Sequence, residues 1–509
     1  MPAYRIGKPM LLDPKPQSSA VSALLDAPKA ARMLIGGQWV DAADGAVVET
    51  LDPASGKIIG TIPDASASDV DAAVAAARKA QGPWAATPPA ERARILWKIA
   101  DLIEANIDEL SELEALDQGK PLYVARWAEI PGAVGQFRFF AGQAMAIEGQ
   151  TITPSITYQP QGKEMRAWTV REAVGVVAAI VPWNSPLVLT AMKLAPAFAA
   201  GCAVVLKPAE DTSLSAIRLG ELIQEAGLPD GVFNVITGRG AISGAALAAH
   251  HDVDKVAFTG STATGRAILD ASKGNLKRVS LELGGKSPVV IMGDADLNLA
   301  IPGAANAIFF NAGQVCVAGS RSYVHASVYD QVVEGLAAYA GGLKLGHGLD
   351  PATQMGPLVN ARQAERVSGF IAGARSEGAA IVAGGERLGP AGTFITPTVV
   401  ANVTASMEIV REEVFGPVLA VQKFDDVEEV VAMANDSVYG LAASVWTESL
   451  SHAHRLSSRI KAGTVWINCH SMYDASLPIG GVKQSGYGRD SGREALESYL
   501  ETKTICAVV

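Results

Sequence analysis

Apolar residues recur at two different spacings along the chain. In the first third they fall at helical intervals. Asp69 can cap the run VDAAVAAARKAQ, and in PAERARILWKIADLIEANIDEL (89–110) Ile95, Ile99, Leu102 and Ile103 share one helix face. Ahead of these, LIGGQWVDA sets Gly36-Gly37 between apolar stretches, which predicts a hairpin. From about residue 172 the pattern changes to short apolar runs, each followed by a helix-like stretch. VGVVAAIVPW (174–183), CAVVLKP (202–208), VFNVITG and KVAFTG (255–260) are the runs. LVLTAMKLAPAFAAG, SLSAIRLGELIQEAG, AISGAALAAH and STATGRAILDAS follow them. Repeated strand-then-helix units predict a parallel sheet with crossover helices, whose ligands gather at the carboxyl ends of the strands. The predicted strands end at Trp183-Asn184, Lys207-Pro208, Gly260-Ser261 and Leu283-Gly284-Gly285, four chemically distinctive endings at one edge. A second alternating block runs from SPVVIM (287–292) to about residue 480. The tail ALESYLETKTICAVV alternates Thr, Ile and Val as a strand does; lacking an obvious partner of its own, it is free to join a neighbouring subunit's sheet.

Composition narrows the class. A chain of 509 residues exceeds one ordinary core, so two or three domains are expected. With 49% hydrophobic and 18% charged residues it is globular rather than disordered. A formal charge of −10 with no basic block speaks against nucleic acid as a partner. Cysteines at 202, 316, 469 and 506 form no CxxC pair, so neither a disulfide framework nor a metal site is expected. Cys202, Cys469 and Cys506 read as packing residues. The stretch MPAYRIGKPMLLDPKPQ lacks an apolar core of signal-peptide length, and no run approaches the ~18 apolar residues of a membrane span. These features suggest a reducing compartment, the cytoplasm. Residues 1–30, with Pro14-Lys15-Pro16 and a small Ala-rich segment, read as a loose extension.

Several motifs mislead when taken singly. GRGAISG (238–244) has GxGxxxG spacing and no acidic residue in the right strand context, so it is a poor dinucleotide loop. GGKS (284–287) ends like a Walker A loop, but Ser280 stands where the first glycine belongs. No HExxH or GxSxG occurs, and His250-His251 reads as a solvated helix end. Four other segments carry usable chemistry. FTGSTATG (258–265) opens a helix whose free N–H groups suit a phosphate, although Ser or Thr there is also an ordinary cap. KPAE (207–210) offers Glu210 to a ribose hydroxyl, or merely a surface ion pair. SLELGGK (280–286) sets Glu282 in an apolar strand, where burial would raise its pKa and make it a base, unless it faces outward. NAGQVCVAGS (311–320) holds Cys316, either a nucleophile or a small buried hydrophobe. A nucleophilic thiol would need oxyanion donors, which Asn184 and the Cys316 N–H could supply.

In order and at similar separations, PWN, KPAE, FTGSTATG, LELGGK, NAGQVC, EEVFGP and GTVWIN resemble the aldehyde dehydrogenase superfamily, from about residue 33 to the C-terminus. The resemblance implies an α/β fold with a Rossmann-type cofactor domain, an α/β catalytic domain and a small oligomerisation β-sheet. On that basis residues 31–149 and 172–284 are expected to bind NAD, 285–482 to be catalytic, and 150–171 with 483–509 to build the oligomerisation segment after the 1–30 extension. It further implies NAD-dependent oxidation of a small-molecule aldehyde to the acid, through a thiohemiacetal and thioester on Cys316. Asn184 would bind the oxyanion, Glu282 would activate water, and Lys193 would support the site from behind. Trp183, Lys207, Glu210, Gly260, Ser261, Leu283, Glu413 and Phe415 match cofactor positions, and Glu210 suits NAD because its charge repels a 2′-phosphate. Ser185, Met192, Phe310, Val315, Val317, Tyr473, Asp474 and Ile479 match the substrate tunnel. Gly313 and Ala312 would let the chain approach the cofactor, with Val315 and Val317 lining the aldehyde's path.

GTVWINCHSMYDASLPIGGVKQSGYGRD and ASVWTESL are most similar to bacterial phenylacetaldehyde dehydrogenases. Ser185 and Met192 stand where bulky aromatics are common in the family, which widens the tunnel toward an aryl or arylalkyl group. A betaine-, amino- or semialdehyde is the alternative substrate, with Asp474 its sole support, and a non-catalytic derivative of the family is more remote. Asp490 replaces a commoner Glu and is given no proton-relay role. A homotetramer (dimer of dimers) or homodimer is the family habit, with no membrane or nucleic-acid partner.

Overall fold

In the computed structural model, which describes residues 16–27, 29–156, 158 and 160–509, the short apolar runs form strands buried on both faces. The first sheet contains β1 (Val176–Ile180), β2 (Ala203–Lys207), β3 (Phe233–Val235), β4 (Lys255–Thr259) and β5 (Arg278–Glu282), all parallel, in the order β5-β4-β1-β2-β3. Such a sheet needs cover on both sides, and the crossover helices Pro186–Ala200, Leu214–Ala226 and Thr262–Ser272 help provide it. Register aligns Ile180 with Lys207, Phe258 with Ile180 and Thr259 with Glu282, so the four endings singled out in the sequence lie along one edge. Strand order reverses between β1 and β4, the position where an open α/β sheet leaves a crevice. The Gly36-Gly37 hairpin (Met33–Ile35 and Gln38–Val40) closes the β3 side, its two glycines at φ 59° and 85°.

The second sheet is built from β6 (Pro288–Ile291), β7 (Arg321–His325), β8 (Ala380–Ala383), β9 (Thr398–Ala401), β10 (Val418–Phe424), β11 (Ala442–Trp446) and β12 (Thr464–Ile467). Its order is β8-β9-β10-β7-β6-β11-β12, with only β8 antiparallel to its neighbour. Residues 283–287 lead directly from the carboxyl end of β5 to the start of β6. The carboxyl edge of one sheet therefore meets the amino edge of the other, and the site lies there. A third, antiparallel sheet joins Thr151–Ile152, Met165–Ala173 and Leu500–Val508. These sheets reproduce the fold that the resemblance implies.

Several local expectations change. The C-terminal strand has a partner in its own chain, since it pairs residue for residue with Met165–Ala173. On it Cys506 is exposed rather than packed. The stretch 89–110 is two helices, Pro89–Ala105 and Ile107–Asp117, because Asn106 interrupts the ladder and its Nδ2 donates to Leu102 O at 2.8 Å. The helix Ala67–Ala85 is capped by Ser66; Asp69 sits three residues in and accepts the Ser66 N–H at 2.8 Å, completing a capping box. Residues 19–26 form a helix rather than a loose segment. Val21 is buried against Leu113 and Leu116, and Glu112 accepts from Gln17 N and Ser18 N. Pro14-Lys15 and the rest of residues 1–15 fall outside the described residues. No helix among the described residues is long and apolar enough to cross a membrane.

Candidate active site

Cys316 follows a turn that ordinary L-residues avoid. Asn311, Ala312 and Gly313 have φ of 49°, 54° and 72°, three successive left-handed residues. What holds them is contact with neighbouring motifs. Asn311 Nδ2 donates to Asn184 O at 2.9 Å. Gly313 lies against the Gly416 carbonyl so closely that a Cβ would overlap it. Gly313 thus admits the EEVFGP backbone, a closer neighbour than the cofactor approach expected from sequence. On the other side, a Cβ on Gly285 would stand 2.6 Å from Cys316 O, so LELGGK rests directly on the cysteine. Glu413 accepts the Gly285 N–H at 2.9 Å and occupies the space a Gly284 side chain would need. Trp183 and Phe415 meet edge-to-face, centroids 5.2 Å apart. Four motifs lying between residues 183 and 417 therefore converge on one thiol.

Desolvation dominates the electrostatics of the site and favours the neutral forms of its acids. Burial pushes the Cys316 thiol up to about 12, and the nearby Glu413 and Glu282 carboxylates add to this. Its own N–H and that of Val317 act in the opposite sense. Glu282, at the end of β5, is 8% exposed, and its Oε1 has no hydrogen-bond partner among the described residues. Burial, then Asp490, raises its pKa well above the usual carboxylate range against Lys193 and Arg489. Glu413 is pushed up to about 7 by burial, against the Gly285 N–H and Lys286. Behind the sheet, Lys193 Nζ pairs with Asp490 Oδ2 at 2.5 Å, both buried. Asn184 is 4% exposed, and its side-chain amide has no protein partner among the described residues. Cys202, by contrast, is packed away, its thiol donating to Tyr499 O.

The model of the aldehyde dehydrogenase family matches residues 39–505. The chain belongs to that family. An aldehyde dehydrogenase from Bacillus cereus, solved as its NAD+ complex, superposes with a TM-score of 0.94 at 46% identity, covering 98% of this chain and 100% of that one. A phenylacetaldehyde dehydrogenase of Pseudomonas fluorescens is 48% identical over 93% of this chain and 95% of its own length. A mitochondrial benzaldehyde dehydrogenase of Antirrhinum majus is 46% identical over 93% and 88%. As an aldehyde dehydrogenase the protein is an oxidoreductase that converts an aldehyde to the carboxylic acid with a nicotinamide dinucleotide.

The strand-end residues of this aldehyde dehydrogenase fit such a dinucleotide. Lys207 Nζ and Glu210 Oε2 pair at 3.1 Å after β2, and the pair lowers the Glu210 carboxyl against its burial. Gly240 leaves space beside them, its missing Cβ 3.8 Å from the lysine and 3.9 Å from the carboxylate. GRGAISG thus borders the predicted ribose pair. Gly260 ends β4, and Ser261 caps the helix Thr262–Ser272 with an exposed first turn. Leu283 is buried against Gly265 of that helix.

The tunnel residues assemble less completely. Val315, Cys316, Cys469 and Ile479 share an apolar cluster with Leu441 and Trp466, and Tyr473 stands edge-on to Trp466 at 5.7 Å. Val317 is fully enclosed in that cluster, so it backs the cysteine instead of lining the aldehyde's path. Asp474 is exposed and occupied by its own loop, accepting from Ser476 N and Oγ. Met192 and Phe310 are half-buried, one beside Lys193 and the other opening the turn that leads to Cys316. Ser185 is bonded to Glu129, a residue the sequence did not single out. Asp490, left without a role on sequence, faces both Lys193 and Glu282. Neither had a local signal, since each partnership spans a long stretch of chain.

Proposed function

We propose that this aldehyde dehydrogenase oxidises an aromatic or arylalkyl aldehyde of the phenylacetaldehyde type, with NAD as its preferred acceptor and Cys316 as its nucleophile. One observation supports the reading above others: Glu282 is buried and raised, with one oxygen lacking a partner among the described residues, near a cysteine that adjoins the Asn184 segment. Cys316 gives up its proton to the ionised Glu282 carboxylate or to water and attacks the carbonyl carbon as the thiolate, and the carbonyl electron pair moves to an oxyanion that receives hydrogen bonds from the Asn184 amide and the Cys316 N–H. NAD, when bound, supplies the hydride acceptor. Lys207 and Glu210 hold its adenosine ribose, the Ser261 helix its pyrophosphate, and Glu413, Phe415 and Trp183 its nicotinamide half. Glu282, once ionised, takes a proton from the water that attacks the Cys316 thioester, its proton affinity raised by burial. Lys193 and Asp490 set the charge behind that carboxylate.

The aryl preference is supported by a serine and a methionine at positions 185 and 192, where bulky aromatics are common in the family, and by an apolar cluster around Cys316. Asp474, the one support for a cationic or carboxylate substrate, is engaged with Ser476. We also propose a homodimer or a dimer of dimers built through the Leu500–Val508 sheet, which exposes Trp168, Ile152 and Val508, and a cytoplasmic location that keeps the four free cysteines reduced. The test is a panel of phenylacetaldehyde, benzaldehyde, hexanal, betaine aldehyde and succinic semialdehyde, each with NAD and NADP. The aryl members should lead with NAD by about tenfold or more in kcat/KM. Equal efficiency on the charged and aryl aldehydes would sink the reading.

A further inference from the structure

Ser185 does more than leave room where a ring is absent. Its hydroxyl donates to Glu129 Oε1 at 2.9 Å. Glu129 closes the π-helical turn Ala125–Glu129, a local widening that interrupts an otherwise α-helical stretch and is often kept for a function. The residue is 6% exposed, and its Oε2 has no hydrogen-bond partner among the described residues. An orphaned carboxylate oxygen at that depth costs stability, and it stays only where something holds it. What holds it is Lys120, fully buried, with Nζ 3.5 Å from Glu129 and 3.2 Å from Glu114. Burial alone would lower the lysine's pKa, but the two carboxylates raise it, so a cation persists beside Glu129. Glu114 in turn caps the start of the helix Pro186–Ala200 through Leu187 N at 2.7 Å. The cluster is therefore anchored to the element that carries Ser185, next in sequence to Asn184.

A serine has one proton to give. With that proton committed to Glu129, the partly exposed Ser185 has only lone pairs left to offer a ligand. We infer that Ser185, held by Glu129, is a specificity-determining acceptor in the aldehyde's path, favouring aldehydes that bear a hydroxyl or N–H donor on their ring or chain. The inference rests on the tunnel position given to Ser185 in the proposed function. A substrate with a donor satisfies the oxygen, whereas its unsubstituted parent leaves it unpaired on desolvation, a difference of about tenfold in kcat/KM.

The experiment compares matched pairs: 3- and 4-hydroxyphenylacetaldehyde against phenylacetaldehyde, and 6-hydroxyhexanal against hexanal. The readout is the kcat/KM ratio within each pair for the wild type, Ser185→Ala, Ser185→Thr and Glu129→Gln. The wild type should favour at least one hydroxylated member by about tenfold. Ser185→Ala should bring that ratio to about one, and Ser185→Thr, which keeps the oxygen, should preserve it. Glu129→Gln should also lower the ratio, because its amide can donate to the serine and free the serine's proton. A merely structural cluster would move parent and hydroxylated aldehydes by the same factor; unchanged ratios in both Ser185→Ala and Glu129→Gln overturn the inference. So does a wild-type ratio of one or below in every pair. Preference within the hexanal pair without turnover of any aryl aldehyde would remove the aryl reading and keep the subsite. Aryl turnover with flat ratios would do the reverse.

Discussion

Glu282, buried, and Glu413, partly buried, both act on the same cysteine, and desolvation raises both above the ordinary carboxylate range. Their surroundings then diverge. Glu413 is tied down: it accepts the Gly285 N–H, fills the space over Gly284, faces Lys286 and has its own carbonyl held by Arg366 Nη2 at 2.7 Å. Glu282 keeps one oxygen without a partner among the described residues, and Asp490 adds to the burial that raises its proton affinity while Lys193 and Arg489 oppose it. An anchored carboxylate suits holding a ligand, since its neighbours fix its position. A carboxylate with a free oxygen and a raised proton affinity suits moving a proton. Two identical side chains have thus been given two trades by their partners.

The largest break in this picture is at the thiol that both carboxylates face. Cys316→Ala should lower kcat by about 10⁴-fold or more, measured as NADH formation, because no other group offers the carbonyl a nucleophile. Glu282→Gln comes next. It should retain a single fast turnover of NADH in stopped flow and then stall, with steady-state kcat down about 10²–10⁴-fold. A full steady-state rate would show that the unpaired oxygen is not the base. Glu413→Gln should behave differently if anchoring is its task. KM for NAD should rise about tenfold or more while the burst and steady-state phases stay coupled, since the loss is of a charge-assisted hold and not of a base.

The contrast between the two carboxylates was only half legible in the sequence. Glu282 could be placed because β5 is a regular apolar strand and its end falls level with Thr259 on β4. The same regularity made the Gly36-Gly37 turn and the strand endings readable. Glu413 and Cys316 sit on irregular backbone, where no period exists to read; Phe415 at φ 56° and the run 311–313 are stabilised by each other rather than locally. Only the family resemblance gave them roles. Asp490 and Glu129 escaped even that, because their meaning lies in partners: Lys193 is 297 residues from Asp490, and Ser185 is 56 residues from Glu129. The helix break at Asn106 was missed for a smaller reason, since one side-chain bond to a carbonyl outweighs an unbroken apolar face.

The finest test asks whether Asp490 tunes Glu282 through charge. Of the groups acting on Glu282, burial comes first and Asp490 second, both raising it, while Lys193 opposes them. Asp490→Asn removes the negative charge and leaves the Lys193 cation uncompensated, and both changes favour the Glu282 carboxylate. The base form of Glu282 then survives to lower pH. Under conditions where thioester hydrolysis limits turnover, the acid limb of the kcat–pH profile should move to lower pH in Asp490→Asn and stay in place in Asp490→Glu. Glu413 is not among the groups that act with Asp490, so KM for NAD should hardly respond. An acid limb that stays where it was in Asp490→Asn would mean that burial alone sets the base, and that the Lys193–Asp490 pair serves only to hold the helix against the sheet.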